Sequence, residues 1–151
     1  MEEGKFAILK SELMNQWNEI VKIYKRIEER KRKRGIHALE SLAYQLHNLY
    51  CAYEDLFKIV AGFFENNIEE PSKYHAELLK RMKMEIEGVR PALISEESFK
   101  LLNSLRGFRH FFRHAYSYEL DERKVSLVLE DALKLKETFK LELENFLSKL
   151  Q

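Results

Sequence analysis

The chain has 151 residues, 45% hydrophobic and 34% charged, with 26 lysines and arginines against 25 aspartates and glutamates. That balance excludes a disordered chain, and a net charge of +1 leaves no overall field toward nucleic acid or membrane, so any affinity for a polyanion must be local. The lone cysteine, Cys51, excludes an intrachain disulfide, and no run approaches the ~20 apolar residues that span a bilayer. The N-terminal Met1-Glu2-Glu3-Gly4-Lys5 carries no apolar signal run, so one soluble, cytoplasmic domain over residues 1–151 is expected.

Helical spacing begins at once. Phe6, Leu9, Leu13, Trp17, Ile20, Tyr24 and Ile27 recur at three- and four-residue steps, one stripe of a long first helix. It ends in Arg30-Lys31-Arg32-Lys33-Arg34-Gly35, where cations suit a helix C-terminus and glycine is a stop. This basic run reads as a solvated helix end that would also extend a nearby nucleic-acid surface. A second helix carries Leu39, Leu42, Leu46, Leu49, Tyr53, Leu56, Phe57, Val60 and Phe64 on one broad face, until Asn66-Asn67-Ile68-Glu69-Glu70-Pro71-Ser72 breaks it. A shorter helix is expected from Lys73 to Glu87, with Leu78, Leu79, Met82 and Ile86 apolar and Gly88 then Pro91 ending it. Ser95 is an N-cap for the fourth, with Glu96 and Glu97 favouring its dipole. Asp121 caps the last, striped by Val125, Val128, Ala132, Leu135, Phe139, Leu143, Phe146 and Leu150. There is no strand-length alternation and no internal repeat. The expected fold is an all-α antiparallel bundle of about five helices.

The fourth helix holds the chemistry. Between Leu105 and Tyr116 it packs Arg106, Arg109, Arg113, His110 and His114 among Phe108, Phe111 and Phe112. At about 100° per residue the three arginines and Tyr116 fall within roughly 80° of one another, with His110 and His114 beside them and Phe108, Phe111, Phe112 and Ala115 opposite. His110 and His114 have the spacing of a metal pair, but the glutamate of a His-Glu-x-x-His site is missing and three arginines repel a cation, so no metal or other cofactor is expected. Clustered arginine and histidine suit phosphate chemistry: the guanidinium fork matches phosphate oxygens, and imidazole moves protons near neutrality. Gly107 costs a helix about 1 kcal/mol relative to alanine, which a close approach or a kink would justify. The same face also fits a solvated helix surface paired with Glu96, Glu97, Glu119 and Asp121, a reading that composition alone slightly favours. His37, His47 and His75 stand isolated on helices and read as structural.

Arg109-His110-Phe111-Phe112-Arg113-His114-Ala115-Tyr116 matches Arg-x4-His-x-Tyr and resembles the signature of HepT-like toxins in the HEPN ribonuclease superfamily. The flanking sequence is similar too: Tyr74-His75-Ala76-Glu77-Leu78-Leu79-Lys80-Arg81-Met82, Val89-Arg90-Pro91 and Tyr118-Glu119-Leu120-Asp121. The likeness covers roughly residues 40 to 150, with the first helix less distinctive. It departs at His110, where many relatives carry asparagine. The resemblance implies a HEPN-like bundle that forms a homodimer, with two motifs meeting in one cleft, and a metal-independent endoribonuclease. Arg109 would bind the scissile phosphate and His114 would transfer the proton. Tyr116 would accept AMP from an MNT-type nucleotidyltransferase antitoxin. Arg106, His110 and Arg113 are assigned to RNA contact, the two arginines from the face argument alone. The competing function is a non-catalytic subunit that binds nucleotides or substrate and docks a nucleotidyltransferase. A purely structural helical module is the third.

Overall fold

The computed structural model describes residues 1–65, 73–117 and 119–151. Three helices of 28 or 29 residues form its frame: α1 (Glu3–Arg30), α2 (Ile36–Phe64) and α5 (Glu122–Leu150). Two shorter ones, α3 (Tyr74–Met82) and α4 (Glu96–Arg113), complete an all-α antiparallel bundle. Among the described residues there is no strand, only one isolated antiparallel bridge between Ile86 and Arg90. No described helix is long and apolar enough to cross a membrane.

Each long helix buries the stripe that its sequence sets at helical period. In α1, Leu9, Leu13, Trp17, Ile20, Tyr24 and Ile27 are buried and Phe6 is partly so. α2 packs against all four other helices, which is why its apolar face is broadest. Leu42, Leu46, Leu49, Tyr53, Leu56, Phe57 and Val60 are buried, while Leu39 and Phe64 pack at the margin. Where α1, α2 and α5 meet, the Tyr53 hydroxyl donates to that of Tyr24 at 2.7 Å, and Tyr24 donates to the Ala132 carbonyl at 2.8 Å. Burial pushes both phenols well above their ordinary range; the bond between them adds to the rise at Tyr53 and opposes it at Tyr24. Trp17, Tyr53 and Phe139 close the same region with rings 5.0 to 6.4 Å apart.

Two helix ends differ from the sequence reading. α3 stops at Met82, not Glu87, although Ile86 keeps the apolar period. Arg90 is buried, and its guanidinium donates to the carbonyls of Arg81, Met84 and Pro91 at 2.9 to 3.0 Å and pairs with Glu65. The backbone amides of Leu93 and Ile94 take the Met82 carbonyl. Those tertiary donors satisfy the carbonyls at the end of α3, and the chain folds back through Gly88, whose φ of +79° suits glycine. α1 ends at Arg30, ahead of Gly35, whose φ of +98° serves the start of α2 instead. The expected breaker at 66–72 and Tyr118 lie outside the described residues.

Candidate active site

α4 is seated at its start by a cap the sequence encodes. The Ser95 hydroxyl accepts from the Ser98 amide at 3.2 Å. One oxygen of Glu142, on α5, accepts from the Ser95 amide at 3.0 Å and from the hydroxyls of Ser95 and Ser98 at 2.5 and 2.9 Å. A carboxylate at the positive end of the helix dipole, together with Glu96 and Glu97, fixes where α4 begins and hence its rotation. Ser98, Leu102, Leu105 and Phe108 then face inward and are buried.

That rotation sets the arginines at the edge of the core. Arg109 is half-buried, and its Nε is fully enclosed with no hydrogen-bond partner among the described residues. Leaving that donor unmatched costs free energy, and the rest of the half-buried guanidinium has no ion pair or hydrogen bond among the described residues either. Arg106 is half-buried, and its Nε and a terminal nitrogen donate to Asn103 Oδ1 at 3.0 and 2.9 Å. Arg113 and His110 are exposed. His114 is exposed too, and is the C-cap of the helix. Its ring centroid lies 4.8 Å from that of His110. On the other side Phe108 is buried, and Phe111 and Phe112 are partly so, as the face argument requires. Lys124 from α5 sits 3.9 Å above the Phe111 ring. Among the described residues no three His, Cys, Asp or Glu side chains converge to hold a metal.

Tyr116 is not on the helical face the spacing predicts for it. The His114 amide bonds the Phe111 carbonyl three residues back, so the helix tightens at its end, and residues 115–117 form a separate 3₁₀ turn. Tyr116 is 91% exposed. It still borders a surface cavity of about 610 Å³ shared with Phe112, Arg113, Glu40 and Glu119. Gly107 lies within the helix, and a Cβ there would meet nothing within 4 Å, so no close approach inside the protomer calls for glycine.

α2 supplies residues that sequence reasoning set aside. His47 stacks on Phe112 with ring centroids 5.1 Å apart, and its Nε2 is 3.8 Å from Cys51 Sγ. Its Nδ1 is buried and unpartnered. Burial, then the positive charges of Arg109 and Arg113, push its pKa below the ordinary imidazole value. The Tyr50 hydroxyl is also buried without a partner, and its proton is held firmly by burial, then by the charge of Glu54, against the opposing pull of Arg106 and Arg109. The arginines of α4 therefore face His47 and Tyr50 across the α2–α4 seam. The available sign was His47, Tyr50 and Cys51 beside the broad apolar face of α2. His75 is different: its Nδ1 bonds both oxygens of buried Glu54 at 2.8 Å, a structural pair. His37 is exposed.

A family model described as HepT-like protein matches residues 41–150. The chain belongs to the HepT-like family. The HepT-like match runs from within α2 to the end of α5, takes in His47, Tyr50 and the motif from Arg106 to Tyr116, and leaves α1 and Glu40 outside. No curated protein and no solved structure matches the chain.

Proposed function

We propose that this HepT-like protein is a metal-independent endoribonuclease toxin that cuts RNA with Arg109 and His114. The observation that carries the reading is Arg109, half-buried at the edge of the core with no ion pair or hydrogen bond among the described residues, within a motif that has the Arg-x4-His-x-Tyr spacing. A guanidinium fork matches phosphate oxygens, and the part of the Arg109 side chain that stays open to solvent is free to bind them.

In this mechanism the substrate 2′-oxygen attacks phosphorus, the bond to the 5′-oxygen breaks, and the products carry a 2′,3′-cyclic phosphate and a 5′-hydroxyl. One proton leaves the 2′-hydroxyl and one reaches the departing 5′-oxygen. His114, exposed at the end of α4, carries a proton transfer, and Arg109 neutralises the charge that grows on the phosphorane. Arg106, Arg113 and His110 contact the RNA on either side. A homodimer would bring two such sets to one groove and supply separate groups as acid and base. Regulation follows from Tyr116: an MNT-type nucleotidyltransferase antitoxin transfers AMP from ATP to its exposed hydroxyl, with pyrophosphate leaving and the phenol proton lost, and the new phosphate, beside Arg113, takes the place of RNA.

The test is RNA cleavage by the purified chain in EDTA, with Arg109→Ala and His114→Ala alongside. Both variants should keep wild-type helical content and lose cleavage. RNA binding without cleavage by the wild type would overturn the nuclease reading and leave a non-catalytic binding subunit.

A further inference from the structure

The basic run at the end of α1 has no role in the chemistry above. Arg30 and Lys31 are tied to neighbouring carboxylates, Glu29 at 3.4 Å and Glu28 at 2.9 Å. Arg32, Lys33 and Arg34 are exposed and have no side-chain partner among the described residues. Adjacent like charges repel, and a bound polyanion relieves them.

The run borders a surface cavity of about 750 Å³, where Arg30, Lys31, Lys33 and Arg34 stand against a single carboxylate, Glu122. The first turn of α2 lines the same cavity, and its N-cap, Gly35, offers no side-chain acceptor, so the leading amides of that helix are open to an anion. Ile36 and Leu120 wall this cavity on one side and the cavity of Arg113 and Tyr116 on the other. The two are neighbours across a shared rim. Along α2, the first turn at Ile36 lies about 16 Å from His47, a distance of a few nucleotides.

We propose that the basic cavity is a second phosphate subsite, which holds the backbone of single-stranded RNA a few nucleotides from the bond cut at Arg109 and His114. This rests on the ribonuclease reading. The intervening cavity suits the rest of such a strand. Its carboxylates, Glu40 and Glu119, repel phosphate but accept hydrogen bonds from base amino groups, and Phe112 and Tyr116 offer ring faces for stacking. Phosphates at both ends with unstacked bases between describes a single strand, since a duplex hides its base faces.

The experiment titrates the full chain with a labelled single-stranded RNA of about 12 nucleotides at several salt concentrations. Wild type is compared with the R32A/K33A/R34A variant, and cleavage of the same RNA and of a dinucleotide is followed in parallel. Each phosphate contact to a single strand contributes about 0.7 to the log–log salt slope, so losing Lys33 and Arg34, the two substituted residues that line the cavity, should lower it by at least about 1.4. KM for the long RNA should rise roughly tenfold at 0.15 M salt, well beyond any change for the dinucleotide. Arg32→Lys with Arg34→Lys should keep the slope, because the subsite needs charge. Unchanged slope and KM in the triple variant overturn the subsite, including where only neutralisation by a nucleotidyltransferase is lost, which would mark a protein-docking surface. If the slope falls in a protein that cuts neither RNA, the subsite stands and the nuclease reading fails.

Discussion

Replacing Gly107 by alanine separates what α4 needs as a helix from what its exposed face needs as a site. Gly107 is solvent-exposed, sits inside the helix, and has open space where a Cβ would stand. Alanine should therefore gain the full propensity difference, about 1 kcal/mol, with no steric penalty to offset it. For a domain near this size that corresponds to a rise of about 2–4 °C in Tm. Helical geometry places position 107 about 20° from His114 and about 60° from His110, so the new methyl stands among the imidazoles. That is where substrate, or a second protomer, must come close. Scanning calorimetry and kcat/KM on an RNA oligonucleotide should thus move in opposite directions. Cleavage falls about tenfold for each 1.4 kcal/mol by which the methyl weakens transition-state binding. A Tm that does not rise would refute the helix argument. An unchanged kcat/KM beside a raised Tm would refute the assignment of this face to the substrate.

Arg90→Ala should cost about 3–5 kcal/mol in urea unfolding, because it takes the buried partner from Glu65 and the donors from the carbonyls of Arg81, Met84 and Pro91. His47 is held neutral in the fold by burial and by Arg109 and Arg113, whereas in the unfolded chain it takes a proton near pH 6.5. The stability it leaves intact above that pH is lost as pH falls from there through the lower folded value, so Tm of His47→Gln should drop less than wild type between pH 7.5 and 5.5. By the same logic Arg109→Ala should raise the His47 pKa in an NMR titration. Tyr116→Phe should gain no AMP when co-expressed with a cognate nucleotidyltransferase, as read by intact mass, and should stay toxic; an added mass on another residue would remove Tyr116 from that role.

The long helices were legible because each repeats its apolar period many times, and the caps at Ser95 and Asp121 because a short acceptor precedes each stripe. Asp121 does accept from the Arg123 amide, at 2.9 Å. What local pattern could not carry was any end decided by distant groups. Ile86 continues the stripe of α3, yet Arg90 and the amides of Leu93 and Ile94 had already claimed its last carbonyls. Tyr116 has helical spacing from Arg109 and Arg113, yet the helix tightens at His114, too early to include it. At the site, the face of Arg106, Arg109 and Arg113 follows from periodicity within a single helix. Its lining by His47 and Tyr50 needs the packing of α2 on α4, which no spacing within either helix reveals.

The central claim is that the substrate's own 2′-oxygen attacks the phosphate held at Arg109, with no metal. One RNA oligonucleotide, and the same strand with a single 2′-deoxy nucleotide at the cleaved position, tests it directly when incubated with the purified chain in EDTA. The all-ribose strand should be cut to a 2′,3′-cyclic phosphate end, and the deoxy strand should resist at that position. Cleavage of the deoxy strand there, or activity that vanishes in EDTA and returns with a divalent metal, would contradict the account.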